Sequence, residues 1–595
     1  MGNDYWTGRG TPWEFDRGPV PASPFARLFA ETPNYRGIGL RWSGKEEFRW
    51  HFGPMFYRGR LEGGGARVLV VGQEGAQDES LSHRSFTGGT GGRMQNFLVH
   101  LGITHSYLFL NTFVYPIFGQ YDAGLRPLAQ DPRSPIVKHR HALFDQVAAD
   151  HPLHLVVAVG AAAKESIATW IRSHGGTADP AHLELADAHV CAPGLRAVGV
   201  LHPGGAGKGG SVSAIIASFK QAVDLVSGWA TADPGWLPAD PDGTRLPSSA
   251  FKYRAAPVPF RDLSFGTPWV LGSGSTTSNR RDGQTAIQLF SAEGTYNNTG
   301  QPVTYHGAAA GTTVGYSPDP DDLAYEPPRH RHDDHDPGPL GSDLAQLLQG
   351  GLPAFPWPDF KVLGLPGHPS FGYGPIYRGR LTAPSVVVLA DQASPDDLFT
   401  GRALCGDAGQ HLQALLRAAG LTSRYAIVRT LPVDSTGASP AVVHAAVHDP
   451  KVQALLREVL RRAAPKVVLA VGPHASAVVG ALAPAGATVF TMRAFGATGW
   501  LAEWQQHLHD LASINYPTDI GPTSWSGAPE QIARPDLPYG TLRWQATSGD
   551  RALQAEAHGA PSPDYSKIVM PAWAAALDAT PLSSSERDAV DALKP

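Results

Sequence analysis

The sequence predicts an α/β fold made of two tandem three-layer αβα domains, each with a central, mostly parallel sheet and an extension behind it. Three observations lead there. Short continuous apolar runs alternate with segments of helical apolar spacing, as in strands covered on both faces by helices. The pattern occurs twice, in the same order. A chain of 595 residues is also too long for one ordinary core.

The repeat begins at Tyr57-Arg58-Gly59-Arg60-Leu61, which returns as Tyr377-Arg378-Gly379-Arg380-Leu381. Each copy leads into an apolar run, Val68-Leu69-Val70-Val71-Gly72 and Val386-Val387-Val388-Leu389-Ala390. A constant offset then matches Asp78 with Asp396, Gly88 with Gly406, Gly91 with Gly409 and Tyr107 with Tyr425. A second run repeats as Val156–Gly160 and Val468–Gly472. The tails match too: Asp262-Leu263-Ser264-Phe265-Gly266-Thr267 resembles Asp536-Leu537-Pro538-Tyr539-Gly540-Thr541.

Within the first copy, Val68–Val71 reads as a strand buried on both faces. Met94, Phe97, Leu98 and Leu101 predict a helix over Arg93–Leu101, stopped by Gly102. Leu108–Val114 and Leu155–Val159 are the next strands, and Ala161–Ile171 the next helix. The expected units are a first domain over 25–230, its extension over 231–317, a linker over 318–345, a second domain over 346–515 and a C-terminal extension over 516–595. The linker is rich in Pro, Asp and His. A metal site from His330, His332 and His335 is its alternative reading.

Composition narrows the function. The net charge is −5 and the pI about 6.6, so a DNA partner would need a local basic patch, or the ligand is small. Two cysteines, Cys191 and Cys405, cannot build a disulfide framework or a four-cysteine cluster. The N-terminus lacks a secretory pattern and no apolar run is long enough to span a bilayer, so a cytoplasmic protein is expected. Neither a metal nor a cofactor is expected.

In an α/β sheet, ligands sit at the carboxyl ends of the strands. Four motifs fall there in order: Gly72-Gln73-Glu74-Gly75-Ala76-Gln77-Asp78, Ser85-Phe86-Thr87-Gly88-Gly89-Thr90-Gly91-Gly92, Leu110-Asn111-Thr112 and Leu201-His202-Pro203-Gly204-Gly205. Together they resemble the uracil-DNA glycosylase superfamily. The resemblance is to the branch whose motifs run Gly-Glu-x-Pro-Gly, Pro-Phe-x-Gly-x-x-Gly, Thr-Asn-x-Val and His-Pro-Ser. It covers about 68–210, and the second copy more weakly. It implies base excision from single- or double-stranded DNA by hydrolysis of the N-glycosidic bond, in repair or in defence against phages with modified DNA. Two features depart from that branch. Its iron–sulfur cysteines are missing, and glycines replace other residues in two motifs (Gly75-Ala76 for Pro-Gly, His-Pro-Gly for His-Pro-Ser), which is expected to widen the pocket.

The chemistry asks for the same residue types independently of the resemblance. Breaking the bond builds positive charge on the sugar and negative charge on the departing base. A carboxylate must orient water, a donor must hold the base carbonyl, an aromatic face must stack the base and an amide must read its edge. Glu74 is the candidate carboxylate, His202 the donor, Phe86 the shelf and Asn111 the amide, with Gly72 and Gln73 beside the base. Gly88, Gly91, Arg93, Gly204, Gly205 and Lys208 are candidates for DNA phosphates, as are Arg84 and Ser211. Asp78 matches the second acidic position of the resembled branch, but the second copy keeps it as Asp396, which suggests a structural cap or turn role.

In the second copy Gln73 becomes Asp391, Glu74 becomes Gln392, Phe86 becomes Leu404 and Asn111 becomes Arg429. The His-Pro-Gly site aligns, with gaps, with Arg493-Ala494-Phe495. That copy is expected to be inert, either as an anion clamp through Arg429 and Arg493 or as a scaffold. Two other functions fit the sequence: a non-catalytic sensor of modified DNA, and an N-glycosidase acting on free nucleosides or nucleotides.

Overall fold

The computed structural model describes residues 14–20, 22–44, 47–48, 53–75, 79, 82–117, 121–208, 211–266, 287–289, 335–365, 376–393, 397–433, 435, 438–541, 552–553, 566–568 and 582–595. Its centre is two five-stranded sheets. The first contains β1 (Arg58–Gly59), β2 (Val68–Gly72), β3 (Tyr107–Asn111), β4 (Leu155–Val159) and β5 (Arg196–Val200), in the spatial order β1-β3-β2-β4-β5. The second contains β6 (Tyr377–Gly379), β7 (Val386–Ala390), β8 (Tyr425–Arg429), β9 (Val467–Val471) and β10 (Thr488–Met492), in the order β6-β8-β7-β9-β10. The order is the same in both. Each sheet is parallel except for its first strand, which runs antiparallel at one edge.

The apolar runs are continuous because both faces of each strand are covered. Leu69 and Val71 point into one core with Leu143, Phe144 and Trp170 from helices α1 (Pro135–Asp150) and α2 (Ala161–Ser173). Val68 and Val70 point into the opposite core with Phe97 and Phe219 from α3 (Gly89–His100) and α4 (Val212–Ala232). The second half repeats this: Val387 and Leu389 face one core, Val386 and Val388 the other. Strand interiors of this kind have no polar face to show in the sequence, so period-2 alternation is absent.

Boundaries differ in places. The expected strand Leu108–Val114 stops at Asn111, and helix α3 starts at Gly89 rather than Arg93. The short edge strands β1 and β6 were visible as a repeated motif but not as strands, since two or three residues carry no periodicity. The expected linker over 318–345 is packed from 335 onward. His335 Nε2 pairs with the Arg17 carbonyl at 2.9 Å and its ring meets Tyr539 edge-on, which are contacts within the fold. His330 and His332 lie outside the described residues. No group of His, Cys, Asp and Glu among the described residues is arranged to hold a metal ion. No helix among them is long and apolar enough to cross a membrane.

The first part of each extension doubles back onto its own sheet. Asp240 accepts the backbone N–H groups of Thr104, His105 and Ser106 before β3. Asp519 does the same for Thr422, Ser423 and Arg424 before β8. Further along, Asp262 enters the core beneath β1. Arg58 Nη1 donates to it at 2.7 Å and the Tyr107 hydroxyl at 2.6 Å, while Gln95 Oε1 accepts from Arg58 at 2.9 Å. Arg378, Asp536, Tyr425 and Gln413 build the same network in the second half. A buried arginine and aspartate are tolerated because each is hydrogen-bonded by the other and by neutral neighbours.

Candidate active site

The strand ends of the first half bring Gly72, Phe86 and Asn111 together. Gly72 and Asn111 are register partners at the ends of β2 and β3. A Cβ on Gly72 would lie 2.4 Å from Phe86 Cζ and 2.6 Å from Asn111 Oδ1. Glycine here is what lets the ring and the amide close over the strand end.

Phe86 sits on a tight turn. Its φ is +57°, unusual for a residue with a side chain. Neighbours hold this strained conformation in place. Ser85 N–H donates to the Tyr57 carbonyl at 3.1 Å and Ser85 Oγ to the Met55 carbonyl at 2.8 Å. The buried Glu79 carboxylate accepts the N–H groups of Thr87 and Gly88, both at 3.0 Å. Leu404 matches Phe86 with φ +50°, and Asp397 caps its turn through Cys405 N–H at 3.2 Å. Asp78 and Asp396 lie outside the described residues. Glu79 and Asp397, one position along, carry the capping role that the retained acid suggested.

Phe86 is not the open shelf expected of it. Its side chain is buried, with its ring 4.9 Å from that of Phe109 in the core. Asn111 is also buried, at 8% exposure. Its Nδ2 lies 3.4 Å from Ser85 Oγ, a long contact, and its Oδ1 has no hydrogen-bond partner among the described residues. A buried acceptor left in that state costs roughly 1–3 kcal/mol, and a hydrogen-bond donor on a ligand would satisfy it.

Gln73 and Glu74 follow Gly72 on the loop, both half-buried. The next residue corrects an expectation. A Cβ on Gly75 would lie 1.9 Å from Met55 Sδ, so this glycine admits the Met55 side chain and does not widen a pocket.

His202 stands exposed after β5, two strands from Gly72 in the sheet order. Its Nδ1 accepts the Gly204 N–H at 3.0 Å. The neutral ring therefore carries its proton on Nε2 and presents a donor there. Gly160, at the end of β4, gives the ring room: a Cβ there would lie 3.1 Å from His202 Cβ.

Most residues proposed for phosphate contact serve the fold instead. The Gly88 N–H is taken by Glu79, the Gly204 N–H by the His202 ring and the Gly205 N–H by the His202 carbonyl at 3.0 Å. Gly91 is a packing glycine, since a Cβ there would lie 1.7 Å from the Phe86 carbonyl oxygen. Arg84 is buried against Asp16, and Ser211 caps α4. Arg93 is half-buried, its guanidinium 5.0 Å from the Tyr253 ring centre, and the Tyr253 hydroxyl in turn donates to the Pro203 carbonyl at 2.7 Å. Lys208 closes the short turn Pro203–Lys208, and its side chain lies outside what the structure describes.

The matching positions of the second half are tied to one another. Asp391 accepts the N–H groups of His474 and Ala475 at 2.8 and 2.9 Å, capping the helix after β9, and burial raises its carboxyl above the ordinary range. Arg429 is buried and donates to Gln392 and to the Val433 carbonyl. Gln392 also accepts from Ser435 N–H at 2.7 Å. Arg493 is engaged by Glu503 at 2.7 Å. Both arginines expected to clamp an anion are thus occupied within the fold, which favours the scaffold reading. No protein-family model matches the chain, and no curated protein matches it.

Proposed function

We propose that the chain is a tandem duplication of a uracil-DNA glycosylase-like domain whose first half is a monofunctional DNA glycosylase. It hydrolyses the N-glycosidic bond of uracil or a modified base and leaves an abasic site. The observation that carries this reading is the buried Asn111 Oδ1, without a partner among the described residues and set against Gly72, whose strand leads into the Glu74 loop. The base edge would supply the donor that Oδ1 lacks. Glu74 would orient water and offset the positive charge on the sugar, and His202 Nε2–H would hold the base carbonyl as negative charge builds. Base entry requires the Phe86 ring to move off Gly72. No lysine stands at a motif position, so strand cleavage through a Schiff base is not part of the reading. A cytoplasmic role in repair or phage defence suits this chemistry.

One observation favours a second reading. Arg84 and the N–H groups of Gly88, Gly204 and Gly205 are used internally, so these four candidates are not available to a DNA backbone. An N-glycosidase acting on free nucleosides or nucleotides needs fewer phosphate contacts. The test is incubation of the full chain with single- and double-stranded oligonucleotides holding uracil or phage-type modified bases, with released base measured by mass spectrometry. Base release that Glu74→Gln abolishes supports the first reading. Salt-insensitive cleavage of a nucleoside, with no DNA affinity, supports the second. Binding of modified DNA without release would instead make the protein a sensor.

A further inference from the structure

The two halves exchange anchors across their seam. Asp16 lies before the first sheet and Asp336 before the second, and they make equivalent contacts. Asp16 N–H donates to the Leu263 carbonyl at 2.8 Å, and Asp336 N–H to the Leu537 carbonyl at 2.7 Å. Asp16 accepts from Tyr57 at 3.0 Å and Arg84 at 2.5 Å; Asp336 accepts from Tyr377 and Arg402, both at 2.7 Å. The remaining guanidinium contacts cross over. Arg84, in the first half, donates to the Tyr539 carbonyl of the second half's tail at 3.0 Å. Arg402, in the second half, donates to the Phe265 carbonyl of the first half's tail. The aromatic rings cross as well: Tyr539 packs in the first core with Phe29 and Phe56, and Phe265 in the second with Tyr377.

Arg84 belongs to the turn that presents Phe86. Its Nη1 also donates to the His83 carbonyl at 2.9 Å, and its own carbonyl accepts from Ser82 Oγ at 3.2 Å. His83, like Phe86, has a left-handed backbone, with φ +55°. Gly540 of the opposite tail lies against it: a Cβ there would come within 3.1 Å of His83 Cβ. We infer that the second half is a built-in partner for the first, and that its Tyr539-Gly540 tail, acting through Arg84 as a positioning residue, holds the Phe86 turn in place. The scaffold role of the second half then has a specific content, which is the shape of one wall of the strand-end site. Only the link from this turn to catalysis rests on the glycosylase reading.

The test uses the full chain with Arg84→Met and Gly540→Val, followed by amide hydrogen exchange. Peptides covering 82–92 should exchange about tenfold faster or more in both variants, because a charge-assisted anchor is lost. Peptides over β2 and β3 should be unchanged. Arg402→Met should accelerate 400–410 and leave 82–92 alone. If either first variant fails to fold, Arg84→Lys and Gly540→Ala take its place, with a smaller acceleration at the same peptides. Unchanged exchange over 82–92 in folded variants overturns the inference. A second arm measures base release from a uracil-containing single-stranded oligonucleotide, where kcat should fall more than KM rises. Absence of release by the unaltered protein counts against the glycosylase reading alone, since the exchange result stands apart from it.

Discussion

Replacing Asp262 by Asn removes one charge from a fully buried pair and keeps the shape. Asp262 Oδ2 accepts from Arg58 at 2.7 Å and Tyr107 at 2.6 Å, and both members of the ion pair have side chains at 0% exposure. The substituted amide would leave the Arg58 guanidinium with neutral acceptors: Gln95 Oε1 at 2.9 Å and the Ser85 carbonyl at 3.1 Å. Removing one partner of a buried pair costs about 3–5 kcal/mol. The Phe109 ring, 3.9 Å from the guanidinium carbon, retains part of the attraction. The low end, about 3 kcal/mol, is therefore expected. For a unit of this size that is a fall in Tm of roughly 6–12 °C. Scanning calorimetry reads it directly, and Asp536→Asn should destabilise the second half in the same way. The double change Arg58→Met with Asp262→Leu should recover most of the loss, because no charge is left buried. A loss below about 1 kcal/mol for Asp262→Asn would refute the reasoning.

Three further outcomes are expected. Burial pushes the His83 imidazole down to about 3, and neither ring nitrogen has a hydrogen-bond partner among the described residues. The unfolded chain therefore takes up this proton first, and stability falls as pH drops from about 6.5 toward 3, by roughly 1.4 kcal/mol per pH unit. Asn tolerates a left-handed backbone, so His83→Asn should lose about 2 kcal/mol less than the unaltered protein between pH 6.5 and 5; equal slopes in urea titrations would contradict this. Asn111→Ala should leave stability unchanged or raise it by up to about 2 kcal/mol, since it removes a buried acceptor with no partner among the described residues, yet abolish base release; a large destabilisation would mark Asn111 as structural. Gly91→Ala should cost about 3 kcal/mol, because the Phe86 carbonyl is backbone and cannot move aside cheaply; unchanged denaturant midpoints would disprove the packing account.

The sheets were legible because their strands are apolar throughout and recur in order. Val68–Val71 and Val386–Leu389 needed no partner to be read. The arginine networks were half legible: Arg58 and Arg378 stood in one repeated motif, Asp262 and Asp536 in another. Nothing local said that these motifs meet, because the pairing runs across 204 positions of sequence in the first half and 158 in the second. The candidate site divided along similar lines. Gly72 and Asn111 were found because their motifs follow apolar strands, at the ends where ligands sit. Phe86 was found, but the sequence could not choose between an open shelf and a core ring, since stacking on a base and packing on Phe109 ask for the same side chain. The phosphate-binding glycines misled for a related reason. A glycine marks a close approach without saying whether the approaching group is a ligand or, as at Gly91 and Gly75, the protein itself. The exchanged tails were invisible, because reading each copy alone cannot show that the Tyr539 carbonyl serves the Arg84 of the other half.

The central claim is that hydrolysis resides at the strand ends of the first half and nowhere in the second. Its most direct test is release of free base from modified and uracil-containing DNA by the unaltered chain, by Glu74→Gln and by Gln392→Ala. The account predicts release by the unaltered chain, loss of that release in Glu74→Gln and full release in Gln392→Ala. Release that survives Glu74→Gln, or that disappears in Gln392→Ala while the protein stays folded, would contradict it.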